Sequence, residues 1–236
     1  MIDEECKNHV LLLDIDGVVC HPQEPMSPEM AQKINLIHYK THGNVYFVTG
    51  NTYTKAVDLV GGGKIFCNNA DELREDGRLL WRDEVTPPLP VIHELNLLRA
   101  EYNSPNNKIE WRGPRFANVC PLGRFATKEQ RDNHDASWRE RWIKGVMHDH
   151  PEIEASIGGQ VSVDIYSKGA DKSRAAKYIN DLGKPFIFIG DKTTPVGNDY
   201  PIIKYCETSE IKNVCLTTDG PETTMKYLDK FFSLIR

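Results

Sequence analysis

The sequence predicts an α/β protein: a Rossmann-like parallel sheet flanked by helices, with a smaller α+β unit inserted into it. Three observations carry that expectation. Short apolar runs alternate with helical patterns across residues 10–67, strict alternation is lost between residues 85 and 167, and the strand–helix rhythm returns from Lys172. A chain of 236 residues has room for both parts. Residues 1–84 and 168–236 are expected to form the core, with 85–167 as an inserted cap.

Each element has its own signal. The run Val10-Leu11-Leu12-Leu13 reads as a buried strand. Ser27-Pro28 supplies a cap and a proline at the first helical position, after which Met30, Ile34 and Ile37 recur at helical spacing until Gly43. Val45-Tyr46-Phe47-Val48 is a second strand, ending at Thr49-Gly50-Asn51. A helix over 56–60 breaks at Gly61-Gly62-Gly63, and 64–67 is a third strand. Asp76-Gly77 marks the turn of a hairpin over 73–81, and Thr86-Pro87-Pro88-Leu89-Pro90 is a stiff hinge. In the insertion the patterns give a helix over 91–102, strands over 109–112 and 117–121, one long polar helix over 128–148, and strands over 153–157 and 161–166. A helix over 172–182, a strand over 186–189, a loop opened by Gly190-Asp191 and a helix over 225–234 complete the core.

Composition narrows the function classes. Hydrophobic residues make up 39% and charged residues 27%, ordinary for a globular chain. A net charge of −5 offers no attraction to nucleic acid or to an acidic membrane surface. No apolar run approaches the roughly 20 residues needed to cross a bilayer. The amino end lacks the basic and apolar regions of a signal peptide, and no Asn-x-Ser/Thr occurs. Six scattered cysteines with no Cys-x-x-Cys read as reduced, mostly buried thiols. The expectation is a cytoplasmic protein that binds neither nucleic acid nor membrane.

The reactive groups gather where strands end. Asp14 and Asp16, in Asp14-Ile15-Asp16-Gly17, follow the first strand, Thr49 the second and Asp191 the late one, while Lys172 opens the helix before that late strand. In a doubly wound sheet such positions converge at the carboxyl edge, where ligands bind. Asp14 and Asp191, with a backbone carbonyl, are hard oxygen ligands of the kind Mg²⁺ prefers. Thr49 and Lys172 offer a hydroxyl and an ammonium to the oxygens of a transferring phosphoryl group. One carboxylate can attack phosphorus while Asp16 moves a proton. A calcium loop is the simplest alternative for Asp-x-Asp-Gly, but Val18, Cys20 and Pro22 stand where an EF-hand needs oxygen ligands. Gly61-Gly62-Gly63-Lys64 is no phosphate loop, since Asp58 replaces its first glycine and Ile65 its Ser/Thr.

The insertion carries a second signal. Arg112, Arg115, Arg124 and Arg131 cluster in a stretch that also holds Trp111, Phe116 and Phe125. Arginines in a polar segment are often simply solvated. Guanidinium forks nevertheless suit phosphate oxygens, and a cap closing over the core would let them hold a second phosphate. The eight histidines show no metal-ligand spacing and read as structural. Trp138 and Trp142 share one helix face, serving either the cap's own core or an interface, with core packing the first choice.

Longer stretches add a resemblance. Ser156-Ile157-Gly158-Gly159-Gln160-Val161-Ser162-Val163-Asp164, Gly190-Asp191-Lys192-Thr193-Thr194-Pro195-Val196-Gly197-Asn198-Asp199, Asn118-Val119-Cys120-Pro121-Leu122-Gly123-Arg124 and Asp171-Lys172 are joined to the first motif in an order that runs through nearly the whole chain. That order resembles the haloacid dehalogenase superfamily and, more narrowly, the eukaryotic-type phosphomannomutases. The resemblance implies a C2-type cap, Asp14 as nucleophile and Asp16 as general acid/base. It implies Mg²⁺ held by Asp14, the carbonyl of Asp16 and Asp191. Arg124 and Arg131 fall on the family's cap arginines, Ser162 and Asp164 on its sugar-phosphate contacts, and Arg112 and Arg115 compete for the first cap arginine. A homodimer through the cap is implied as well.

The departures are specific. Val18 stands for the family's threonine, Gln23 for an arginine that contacts substrate, Ala170 for a tryptophan, and Tyr205 for an acidic residue at a second cation site. Thr49-Gly50-Asn51 stands where the family has a glycine pair before its hydroxyl residue. Loss of the loop arginine removes a charge-assisted contact worth about 1.5–3 kcal/mol, which weakens mutase chemistry and leaves transfer to water intact. The expected function is interconversion of hexose (mannose) 6-phosphate and 1-phosphate through an aspartyl phosphate, with a sugar 1,6-bisphosphate as activator. The alternatives are a sugar-phosphate phosphatase using the same aspartate, and a non-catalytic sugar-phosphate sensor.

Overall fold

The computed structural model describes residues 2–89, 108–123 and 126–235. Its larger sheet contains β1 (Val10–Asp14), β2 (Val45–Val48), β3 (Lys64–Cys67), β4 (Glu72–Glu75), β5 (Arg78–Arg82), β10 (Phe186–Gly190) and β11 (Val214–Thr217). Their order is β11-β10-β1-β2-β3-β4-β5, parallel from β11 to β3 and antiparallel at β4 and β5. Every residue of β1 is buried, as expected of a parallel strand covered on both faces.

Alternate side chains serve the two faces. Leu11, Leu13, Phe47, Ile187 and Ile189 pack with Met30, Ile34 and Ile37 of α1 (Pro28–Lys40) and with Leu228 and Phe231 of α7 (Pro221–Leu234). Val10, Leu12, Val48, Phe186 and Phe188 pack with Ala175, Ala176 and Ile179 of α5 (Ser173–Asp181) and Ile202 of α6 (Tyr200–Thr208). Ser27 caps α1, its Oγ accepting the Met30 N–H at 3.2 Å. The short helix α2 (Tyr53–Val60) ends at Gly61, and the expected hairpin turns at Asp76-Gly77. Gly61–Lys64 leads into the amino end of β3, far along the sheet from the carboxyl edge, consistent with its rejection as a phosphate loop.

The second sheet holds β6 (Lys108–Trp111), β7 (Phe116–Cys120), β8 (Ile153–Ile157) and β9 (Val163–Ser167), antiparallel in the order β6-β7-β9-β8. One face is apolar: Ala117, Val119 and Ile165 meet Val146, and Ala155 and Val163 meet Ile143, both from α4 (Arg139–Asp149). Trp138 and Trp142 meet edge to face at 6.1 Å against that same face, so they serve the sheet's own core. The other face carries Asn118 and Asp164, directly paired across β7 and β9.

Three expectations need correction or lie out of reach. The long helix over 128–148 is two helices, α3 (Lys128–Asp132) and α4. Thr127 and Gln130 form a capping box, Asn133 ends α3, and Asp135 accepts the Ser137 N–H at 2.9 Å to turn the chain before α4. Helix α6 and strand β11 interrupt what reads as a loop, because β11 is a partly exposed edge strand with only Val214, Cys215 and Leu216 as its apolar run. The helix over 91–102 lies outside the described residues.

Candidate active site

The chain leaves β1 toward β2 on one side, while β10 lies on the other. Strand order therefore reverses at β1, and a crevice opens beyond its carboxyl end. A cleft of about 1080 Å³ occupies that place. It is lined from the first sheet by Asp14, Asp16, Thr49 and Lys172, and from the second by Arg112, Arg131, Ser162 and Asp164.

Asp14 is buried at the end of β1. Lys172, at the start of α5, donates from Nζ to Asp14 Oδ1 at 2.8 Å and to Asp199 Oδ1 at 2.7 Å. Asp14, Asp191 and Asp199 bring their carboxylates within 4.8 Å of one another. Burial, then the negative charges of Asp199 and Asp191, push the Asp14 carboxyl up to about 8 against the opposing pull of Lys172. Burial also raises Asp191, against Lys192, whose Nζ lies 2.5 Å from Asp191 Oδ2. For Lys172 burial alone would lower the ammonium, yet Asp14 and Asp199 hold it above its ordinary value.

The cluster fits a divalent cation. It is made of three hard oxygen donors close together, and Asp191 Oδ1 is buried without a hydrogen-bond partner. The first motif lies close against it. Gly17 has φ 81°, and a Cβ there would sit 2.7 Å from Asp191 Oδ2, so only glycine lets the loop approach.

Asp16 stands apart from the cluster, held by two donors: Gln23 N–H to Oδ1 at 2.9 Å and Asn51 Nδ2 to Oδ2 at 2.7 Å. Thr49 is buried, and its Oγ1 accepts the Asn51 N–H at 3.0 Å. Across the cleft, Arg112 donates to the Gly50 carbonyl at 2.9 Å and to Glu110 at 3.0 Å. Arg131 donates from Nε to the Ala126 carbonyl, and its two Nη lie 3.0 and 3.2 Å from the Gln23 amide, placed to use that oxygen as acceptor. Ser162 Oγ accepts the Gly159 N–H. Asp164 accepts from Asn118 at 2.8 Å and Asn198 at 3.3 Å, and a Cβ at Gly158 would lie 2.2 Å from its Oδ2.

The two competing arginines are placed differently. Arg112 reaches the cleft, whereas Arg115 turns away from it into a buried ion pair with Asp71 at 3.1 Å. Arg124 lies outside the described residues. Asp199, Asn51, Asn118, Asn198 and Lys192 were not expected in the site. Asp199 was within reach of sequence reasoning, since it closes the acidic loop that Asp191 opens; the amides carry no comparable signal.

Known proteins resemble this chain in fold and in sequence. A haloacid dehalogenase-like hydrolase from Bacteroides thetaiotaomicron superposes with a TM-score of 0.56 at 14% identity, covering 92% of this chain and 91% of that one. The two chains share a fold. A family model described as eukaryotic phosphomannomutase matches residues 100–234. The phosphomannomutase of Spinacia oleracea is 28% identical over 247 residues, 94% of this chain and 95% of that protein. That of Drosophila melanogaster is 29% identical over 250 residues, 95% of this chain and 96% of that protein. The chain belongs to the eukaryotic phosphomannomutase family.

Proposed function

We propose that this protein is a phosphomannomutase that moves a phosphoryl group between the 1- and 6-positions of mannose by way of Asp14. The observation that carries the proposal is the facing of Asp14, at the switch point of the sheet, by Arg112 and Arg131 across one cleft. A simple phosphatase has less need of such a distal clamp.

In this reading an Asp14 oxygen forms a bond to phosphorus of a hexose 1,6-bisphosphate as the phosphorus–sugar oxygen bond breaks. Asp16, oriented by Asn51 and Gln23, gives its proton to the departing sugar oxygen. Mannose 1-phosphate then presents its free 6-hydroxyl to the phosphorylated Asp14, Asp16 takes the proton from that hydroxyl, and the phosphoryl group leaves Asp14 for the oxygen. The bisphosphate so formed turns over beneath the cap and gives the phosphoryl group of its 1-position to Asp14, releasing mannose 6-phosphate. Thr49 and Lys172 face the phosphoryl oxygens, while Arg112, Arg131 and Arg124 hold the phosphate that is not reacting. Ser162 and Asp164 contact the sugar phosphate. Asp14, the carbonyl of Asp16 and Asp191 would hold Mg²⁺, which when bound neutralises charge on the phosphoryl oxygens.

Residues 1–84 and 168–236 are assigned to the catalytic core and 85–167 to the cap, with a homodimer through the cap. All six cysteines are free thiols, which suits the reducing cytoplasm. The test is incubation with mannose 1-phosphate, Mg²⁺ and a trace of glucose 1,6-bisphosphate. Mannose 6-phosphate is the expected product; release of inorganic phosphate alone overturns the mutase in favour of a phosphatase. A sensor would bind sugar phosphate with no turnover at all.

A further inference from the structure

Four charged side chains that the proposed chemistry does not use are buried together outside the cleft: Asp71, Asp83, Arg115 and Arg174. Asp71 Oδ1 accepts from Arg115 at 3.1 Å and from Arg174 at 3.3 Å, and Arg174 also pairs with Asp83 at 2.7 Å. Two positive and two negative charges balance, so each is tolerated only while the others stay in place. Arg115 donates in addition to the Thr86 carbonyl, and Arg174 to the carbonyls of Asn69 at 2.8 Å and Ala170 at 3.2 Å.

The members of this cluster come from distinct places. Asp83 and Thr86 lie where the chain leaves the first sheet, Arg115 lies in the second sheet's β6–β7 turn, and Ala170 and Arg174 lie where the chain returns. Arg174 is in the first turn of α5, next to the Lys172 that meets Asp14. Asp71 ends a left-handed turn in which Asn68, Asn69 and Ala70 have φ 53°, 60° and 60°. Such backbone persists only where its surroundings hold it. The same turn reaches the cleft, with Asn68 N–H donating to the Asn51 carbonyl at 2.9 Å and Asn69 N–H to the Thr49 carbonyl at 3.0 Å.

We propose that Arg115 and Arg174 are positioning residues: by sharing Asp71 they seat the second sheet over the first and fix both the Thr49–Asn51 loop and the start of α5. The inference goes beyond the proposed function and rests on it only for the choice of sugar substrate. Arg115 acts on recognition, because it links the second sheet to the pivot. Arg174 acts on phosphoryl transfer itself, because it lies two residues from Lys172 in the first turn of α5.

The test compares mannose 1-phosphate with p-nitrophenyl phosphate, an ester with no distal phosphate, on the full chain with Mg²⁺. R115M is expected to raise KM for mannose 1-phosphate about ten-fold or more and to leave kcat on p-nitrophenyl phosphate within about two-fold. R115K, which keeps the charge but cannot span both the Thr86 carbonyl and Asp71, gives an intermediate KM. R174K lowers kcat on both esters. An unchanged KM in R115M, or equal losses on both substrates, overturns the role of Arg115; an unchanged kcat in R174K overturns that of Arg174. If R115M fails to fold by near-ultraviolet circular dichroism, R115K decides by the same split. Failure of the unmutated protein to form mannose 6-phosphate defeats the mutase reading alone, and the split is then read on phosphate release from mannose 1-phosphate.

Discussion

The two walls of the cleft are built on opposite principles. The wall from the first sheet crowds Asp14, Asp191 and Asp199 around Lys172 at strand ends, buried and charged. The wall from the second sheet offers Arg112, Arg131 and Ser162 from a strand edge, a short helix and a loop, with Asp164 clasped between two amides. In the proposed function the first makes and breaks a phosphorus–oxygen bond and the second holds what does not react. Substitutions on the two walls should therefore separate in kcat and KM.

The largest effect belongs to Asp14→Asn, expected to cost at least about 10³-fold in turnover while sugar phosphate still binds, as measured by rapid-quench trapping of phosphoprotein and by calorimetry. Asp16→Asn comes next, about 10²–10³-fold in kcat, with little change in substrate affinity. On the facing wall, Arg131→Ala removes a charge-assisted contact of about 1.5–3 kcal/mol. Its KM for mannose 1-phosphate should rise roughly ten- to a hundred-fold, with p-nitrophenyl phosphate hydrolysis unaffected. Ser162→Ala is the mildest, about 0.5–1.5 kcal/mol and visible only in KM. An Arg131→Ala protein whose losses fall in kcat on both esters would erase the distinction between the walls.

The same contrast explains what the sequence reveals. Asp14, Asp16, Thr49 and Asp191 are legible because apolar strands announce where they end, Lys172 because it opens the helix before the last of those strands, and the parallel topology brings these positions together. Arg112 and Arg115 are indistinguishable in sequence; the β6–β7 turn sends one to the cleft and the other to Asp71, and no local pattern encodes that choice. The break between α3 and α4 is hidden because Asn133, His134 and Asp135 are as polar as the helix residues around them. Asn51, Asn118 and Asn198 matter through partners distant in the chain, which periodicity does not report.

The end of β8 meets the acidic loop directly: Ile157 N–H donates to the Val196 carbonyl at 2.7 Å, and its own carbonyl accepts from Asn198 N–H at 3.2 Å. Parting the two sheets severs both links, and the segment that tugs on them lies between Asp191 and Asp199. The seating of one sheet on the other and the path of the loop that carries Asp191 and Asp199 are thus set by the same pair of backbone bonds.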